Sequence, residues 1–181
     1  MAVGEIKQHR RIRRPIEGNF ERRQSMQAVV LAGGLGTRLR SVVSDRPKPM
    51  AEVNGKPFLE YQIRYFTSQG LHDVVMCVGY LGQMIEAYFG DGIHIGYSYE
   101  SKPLGTAGAL GNARKLLEEN FAVINGDTYF KCDYQRMTDY HLQKGSLATL
   151  GVVKGKSGHD YGNIRLDGCG RIVGFAEKQG E

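Results

Sequence analysis

Gln27-Ala28-Val29-Val30-Leu31-Ala32-Gly33-Gly34-Leu35-Gly36-Thr37-Arg38 opens on a short run, apolar from Ala28 to Ala32, that breaks into glycines. An uninterrupted apolar run of this length predicts a strand buried on both faces. The glycines free the backbone to turn and to bring N–H groups close to an anion. Downstream, segments of two periods alternate. Pro57–Gln69 places Phe58, Leu59, Ile63 and Phe66 at helical spacing and stops at Gly70. Asp73–Val78 predicts a second buried strand, Gln83–Phe89 a short helix closed by Gly90, and Ile93–Glu100 a strand. Thr106–Leu117 predicts a helix, Phe121–Ile124 a strand running into Asn125-Gly126-Asp127, and Tyr134–Lys144 a helix stopped by Gly145. Ala148–Val153, Asn163–Asp167 and Ile172–Glu177 predict further strands with glycine turns between them. This alternation predicts an α/β fold with a mixed, mainly parallel sheet between helices on both faces.

Ligands of such sheets sit at the carboxyl ends of the strands. Four segments therefore belong on one rim: Gly33–Arg38, Gly79-Tyr80, Glu100–Thr106 and Asn125-Gly126-Asp127.

Composition bounds the rest. With 181 residues, 41% of them hydrophobic and 24% charged, the chain has an ordinary globular make-up that excludes wholesale disorder. No stretch approaches the roughly 18 apolar residues of a membrane-spanning helix. Cys77, Cys132 and Cys169 are odd in number and far apart, which predicts unpaired thiols in a reducing cytoplasm and no zinc site. The net charge of +5 is unevenly spread. Lys7, Arg10, Arg11, Arg13, Arg14, Arg22 and Arg23 face only Glu5, Glu17 and Glu21, so residues 1–25 carry +4 and the remainder +1. Residues 1–25 show no apolar period and read as a flexible basic arm, and residues 26–181 as one domain. A charge confined to the arm argues against nucleic acid as the domain's partner.

The glycine string is neither the dinucleotide fingerprint, since G-x-G-x-x-G is not completed, nor a Walker A loop, since no Gly-Lys-Ser/Thr follows. It runs instead into Arg38, and then into Pro47-Lys48-Pro49, where two prolines stiffen the backbone around one lysine. A glycine loop, an arginine and a stiffly held lysine suit a triphosphate whose leaving group is pyrophosphate. Asn125-Gly-Asp127 alone is also a common turn. At the end of a strand, across from a phosphate loop, Asp127 is a natural ligand for Mg²⁺.

Leu31-Ala-Gly-Gly-Leu-Gly-Thr-Arg-Leu39, Asp45-Arg-Pro-Lys-Pro49, Pro103-Leu-Gly-Thr-Ala107, Asn125-Gly-Asp127, Tyr161-Gly162 and Phe175-Ala-Glu-Lys178 together resemble the sugar-1-phosphate nucleotidyltransferases. The resemblance covers residues 26–181, in order. Within that family, Arg38–Met50 is similar to the D-glycero-D-manno-heptose 1-phosphate guanylyltransferases. The resemblance implies a three-layer, Rossmann-like nucleotidyltransferase domain. It also implies transfer of a nucleoside monophosphate from GTP to a heptose 1-phosphate, in the cytoplasm, for lipopolysaccharide or S-layer glycans.

Residue roles are implied in the same way. Leu31, Ala32, Gly33, Gly34, Gly36 and Thr37 hold the nucleotide, with Gly105 and Thr106. Arg38 binds the β,γ-phosphates, Lys48 stabilises charge at the α-phosphorus, and Asp127 holds Mg²⁺. Gly162, Glu177 and Lys178 bind the sugar phosphate. Glu100 reads the base, and an acceptor-only carboxylate favours guanine, which offers N1–H and N2–H₂ on one edge. The family continues past the position of Glu181 with a further aspartate at the metal, so the chain is expected to be C-terminally short. Three alternatives stay open. One is the same chemistry on a hexose 1-phosphate with UTP, dTTP or CTP, another a catalytically silent nucleotide- or sugar-phosphate-binding module, and the third a nucleic-acid-binding arm. An oligomer also stays open.

Overall fold

The structure, a computed structural model, describes residues 26–34, 45–90, 94–153 and 163–176. The arm 1–25 therefore lies outside the described residues. The chain divides into two compact units, one up to Thr138 and one from Asp139.

The first unit is built on a four-stranded parallel sheet of β1 (Gln27–Ala32), β4 (Asp73–Val78), β5 (His94–Tyr99) and β6 (Phe121–Asn125), in the order β5-β4-β1-β6. A small antiparallel pair, β2 (Glu52–Val53) and β3 (Lys56–Pro57), leads into α1 (Phe58–Thr67). The other helices are α2 (Gly82–Phe89) and α3 (Gly105–Ala113), while α4 (Tyr134–Lys144) begins in this unit and runs past its limit at Thr138. The chain steps outward from β1 through β4 to β5, then returns to place β6 on the other side of β1. The order reverses between β1 and β6, and the crevice outside the carboxyl ends of those two strands is where open α/β sheets bind ligands.

The alternation of side chains across the sheet builds the layers. One face of β1 and β4 presents Ala28, Val30, Ala32, Val74, Met76 and Val78, packed with Leu59, Ile63 and Phe66 of α1 and Ile85 of α2. The opposite face presents Val29, Val75 and Cys77 to Ala109 and Ala113 of α3. Alanines on that helix let its backbone approach the sheet closely, and burial there pushes the Cys77 thiol up to about 11. This is the three-layer α/β/α architecture.

Element limits follow local chemistry. Pro57 stands immediately before the first turn of α1, where a missing N–H costs nothing, and Gly70 takes a left-handed φ of +93° just beyond its end. The helix expected over Thr106–Leu117 divides into α3 and a tight turn over Arg114–Leu116. Ala148–Val153, expected as a strand, forms none. Its alternation is that of a strand, but a strand also needs a ladder partner, and this segment pairs with none among the described residues.

In the second unit, β7 (Asn163–Leu166) and β8 (Ile172–Ala176) form an antiparallel hairpin. Its turn is held by Asp167, whose Oδ1 accepts from the N–H groups of Cys169 (2.9 Å) and Arg171 (2.8 Å). Those backbone donors hold the Asp167 carboxyl below the usual carboxylate range.

Candidate functional site

A cleft of about 500 Å³ opens at the carboxyl ends of β1 and β6. It has the size of an ordinary small-ligand site. Leu31, Ala32, Gly33 and Gly34 supply one wall, Lys48 and Pro49 a second, Glu100 and Pro103–Thr106 a third, and Asn125 with Asp127 a fourth. Nine residues singled out from sequence thus meet in one place: Leu31, Ala32, Gly33, Gly34, Lys48, Glu100, Gly105, Thr106 and Asp127. Gly36, Thr37, Arg38, Gly162, Glu177 and Lys178 lie outside the described residues.

Two glycines make the strand ends fit. A Cβ on Gly33 would come within 2.6 Å of Glu100 Oε1, so the carboxylate lies directly over the end of β1. A Cβ on Gly126 would come within 2.9 Å of the Leu31 carbonyl oxygen, which accepts the Gly126 N–H at 2.9 Å. The glycines therefore serve close approach between segments as well as openness toward a ligand.

Lys48 lies in a tight turn closed by the Met50 N–H to the Pro47 carbonyl (2.8 Å) and the Ala51 N–H to the Lys48 carbonyl (3.0 Å). Its neighbour Arg46 is occupied by Asp45 and Glu52. Lys48 is thus the cation that lines the cleft among the described residues. Its Nζ donates to Asp127 Oδ2 at 2.8 Å, across 79 positions of sequence. Both side chains are only partly buried, at 38% and 41% exposure, so the pair stays open to an incoming ligand.

Burial pushes the Asp127 carboxyl up. The Lys48 ammonium, the Thr128 hydroxyl on Oδ1 (3.2 Å) and a backbone N–H outweigh it, so the carboxyl sits below the usual range. Glu100 Oε2 accepts the Leu104 N–H at 3.1 Å, which fixes the turn into α3 and leaves lone pairs free toward the cleft.

Sequence reading missed Gln62. It is 4% exposed, and its Nε2 donates to the carbonyls of Asn125 (3.0 Å) and Thr128, on either side of Asp127. The available signal was a polar residue on the apolar face of α1, beside Leu59, Ile63 and Phe66.

A glycine-walled crevice at a sheet's switch point, with a lysine and an aspartate facing across it, defines an α/β protein equipped to hold a phosphorylated ligand at its strand ends. More narrowly, the chain belongs to the nucleotidyl transferase family, whose sequence model matches residues 27–179, and it is a nucleotidyltransferase. It is 46% identical over 157 residues to the D-glycero-alpha-D-manno-heptose 1-phosphate guanylyltransferase of Aneurinibacillus thermoaerophilus, covering 84% of this chain and 68% of that one. It is 40% identical over 156 residues to the protein of the same name from Campylobacter jejuni, with 84% and 69% covered. The crystal structure of HddC from Yersinia pseudotuberculosis complexed with GMP-PN superposes with a TM-score of 0.66 at 32% identity, over 84% of this chain and 69% of that one. Members of this family work with a divalent metal on a nucleoside triphosphate and a sugar 1-phosphate. No helix among the described residues is long and apolar enough to cross a membrane.

Proposed function

We propose that the chain transfers GMP from GTP to D-glycero-D-manno-heptose 1-phosphate and releases pyrophosphate, in the cytoplasm of a cell building surface glycans. The similarity to the two bacterial heptose guanylyltransferases supports the substrate pair. The single structural observation that carries the chemistry is Lys48 Nζ at 2.8 Å from Asp127 Oδ2, above the glycine end of β1.

The donor set fits Mg²⁺. Among the described residues no three His, Cys, Asp or Glu side chains cluster, and Asp127 is the single carboxylate at the end of β6. A hard cation that retains water and takes its remaining oxygens from phosphates needs no more than one or two protein carboxylates. When bound, Mg²⁺ would offset the charge of the nucleotide phosphates. Asp127 would hold it, and Lys48, released from Asp127, would turn to the α-phosphate.

The reaction is an in-line displacement. An oxygen of the sugar 1-phosphate forms the new bond to the α-phosphorus. The bond from that phosphorus to the bridging oxygen of pyrophosphate breaks, and the bonding pair leaves with pyrophosphate. The attacking oxygen is already ionised at neutral pH, so the chain needs no general base. Its work is positioning and charge stabilisation. The Gly33-Gly34 backbone lets the phosphates approach. Lys48 meets charge growing at the α-phosphorus, and Arg38 is assigned to the departing pyrophosphate. Glu100 accepts from N1–H and N2–H₂ of guanine, which uracil and thymine cannot match with a single N–H. Gly162, Glu177 and Lys178 are assigned to the sugar phosphate.

The test is pyrophosphate release with Mg²⁺ across four nucleoside triphosphates and a panel of heptose and hexose 1-phosphates. Release with GTP and the heptose, and a narrowed GTP-over-UTP ratio in Glu100→Gln, are expected. Release only with another pair would discard the substrates and keep the chemistry. GTP binding without release from any sugar would overturn the activity.

A further inference from the structure

Gln62 lies on the sheet-facing side of α1 and is 4% exposed, where Leu59, Ile63 and Phe66 otherwise form an apolar stripe. Its amide Nε2 carries two N–H groups. One reaches the Asn125 carbonyl at 3.0 Å and the other the Thr128 carbonyl. Those carbonyls bracket Gly126-Asp127, so one side chain grips both ends of one turn. Two acceptors on the same side also dictate which end of the amide faces the turn.

The opposite end is left over. Gln62 Oε1 is buried and has no hydrogen-bond partner among the described residues. A buried, unpaired carbonyl is a stability cost, and methionine, of the same length, would fill the space without it. The amide therefore answers to the turn it holds more than to the packing of the core.

Nor does the grip end at the backbone. Thr128, placed through its carbonyl, donates its hydroxyl to Asp127 Oδ1 at 3.2 Å, while Oδ2 faces Lys48. The geometry points to Gln62 as a positioning residue that orients the Asp127 carboxylate toward its cation from beneath the cleft. This rests on Asp127 holding the metal. Side chains that orient a metal ligand from behind change metal affinity or activity by about 10–100-fold when removed.

The experiment is Mn²⁺ binding, followed by electron paramagnetic resonance in the presence of GTP, for the wild type and Gln62→Met. Weakening of Mn²⁺ affinity by about 10–100-fold is expected, with GTP binding in EDTA unchanged in the folded variant. Mn²⁺ affinity within about twofold of wild type in the folded variant would overturn the assignment. Should Gln62→Met fail to fold, Gln62→Asn keeps the amide but withdraws it by one methylene. It must weaken Mn²⁺ in the same direction, and wild-type affinity there overturns the assignment equally. Asp127→Asn separates this proposal from the one beneath it. If Asp127→Asn also binds Mn²⁺ like the wild type, the metal site itself is misassigned. If it loses Mn²⁺ binding while the Gln62 variants keep it, only the positioning role fails. In the double variant, Gln62→Met should add nothing further.

Discussion

Two buried glutamines stand in the same unit, one at the amino end of its sheet and one beneath the carboxyl rim, and the fold uses them differently. Gln27, 3% exposed at the start of β1, donates from Nε2 to Asp73 Oδ2 (3.2 Å) and to the Leu116 carbonyl (3.1 Å). Its Oε1 accepts the Glu118 N–H at 3.0 Å. Every polar atom of that amide is consumed, and it ties β1, β4 and the chain after α3 into a closed floor. Gln62 spends both donors on the turn that carries Asp127 and leaves its acceptor unpaired among the described residues. At the same rim, Lys48 and Asp127 face each other half in solvent. One amide is wholly spent on tying strands together, while the other gives its donors to a single turn beneath the cleft and leaves its acceptor buried without a partner among the described residues.

The sharpest way to break this contrast is at the rim. Lys48→Ala should lower kcat by roughly 10²–10³, as loss of one preorganised charge-stabilising donor does elsewhere. Folding stability should fall by less than about 1 kcal/mol, because a solvent-exposed ion pair contributes little. Steady-state kinetics beside a denaturation curve checks both. Near-wild-type turnover would remove Lys48 from the reaction.

The floor should respond the other way round. Gln27→Met strands the Glu118 N–H and removes donors from Asp73 and the Leu116 carbonyl. A loss of about 1–3 kcal/mol of stability is expected, with kcat and the metal requirement unchanged. Chemical denaturation and the same kinetic assay measure this. A kinetic effect without a stability effect would dissolve the distinction between the two ends.

How much of this was legible in sequence follows from the range of each interaction. β1 and β4 were readable because both of their faces are buried, so the apolar run is unbroken. α4 matched its expected limits, Tyr134–Lys144, because a helical period and a glycine stop mark it locally. The meeting of Gly33, Gly34, Glu100, Gly105, Thr106 and Asp127 in one cleft followed from a general rule about parallel strands, which did not place Leu31, Ala32 or Lys48 and which put Gly79-Tyr80 on a rim where they do not line the cleft. Contacts were the part that could not be read. Nothing local says that Lys48 reaches Asp127, 79 positions away, or that Gln62 lies beneath Asp127. A single polar residue on an apolar helix face breaks the pattern without naming its partner. Ala148–Val153 failed for the complementary reason, since side-chain alternation does not supply a neighbouring strand.

The smallest effect lies in the pH dependence of the rim, and its sign is set by Asp127. Burial raises its carboxyl, but Lys48, Thr128 and a backbone donor bring the balance below the ordinary value of 3.8. A depressed carboxylate contributes stability above its unfolded pKa, and that contribution is lost as pH falls through the folded one. The Lys48–Asp127 pair should therefore be intact from pH 8 to pH 5. The difference in thermal midpoint between the wild type and Asp127→Asn should be flat over that range and shrink only below about pH 4. Its size should correspond to less than about 1 kcal/mol, since both partners meet solvent. An acid limb in the rate above pH 5 would then belong to a group other than Asp127, the phosphates of the substrates included. A midpoint difference that instead changed steadily between pH 8 and pH 5 would mean that Asp127 titrates there. The ion pair would then be too weak to be the resting state of the site.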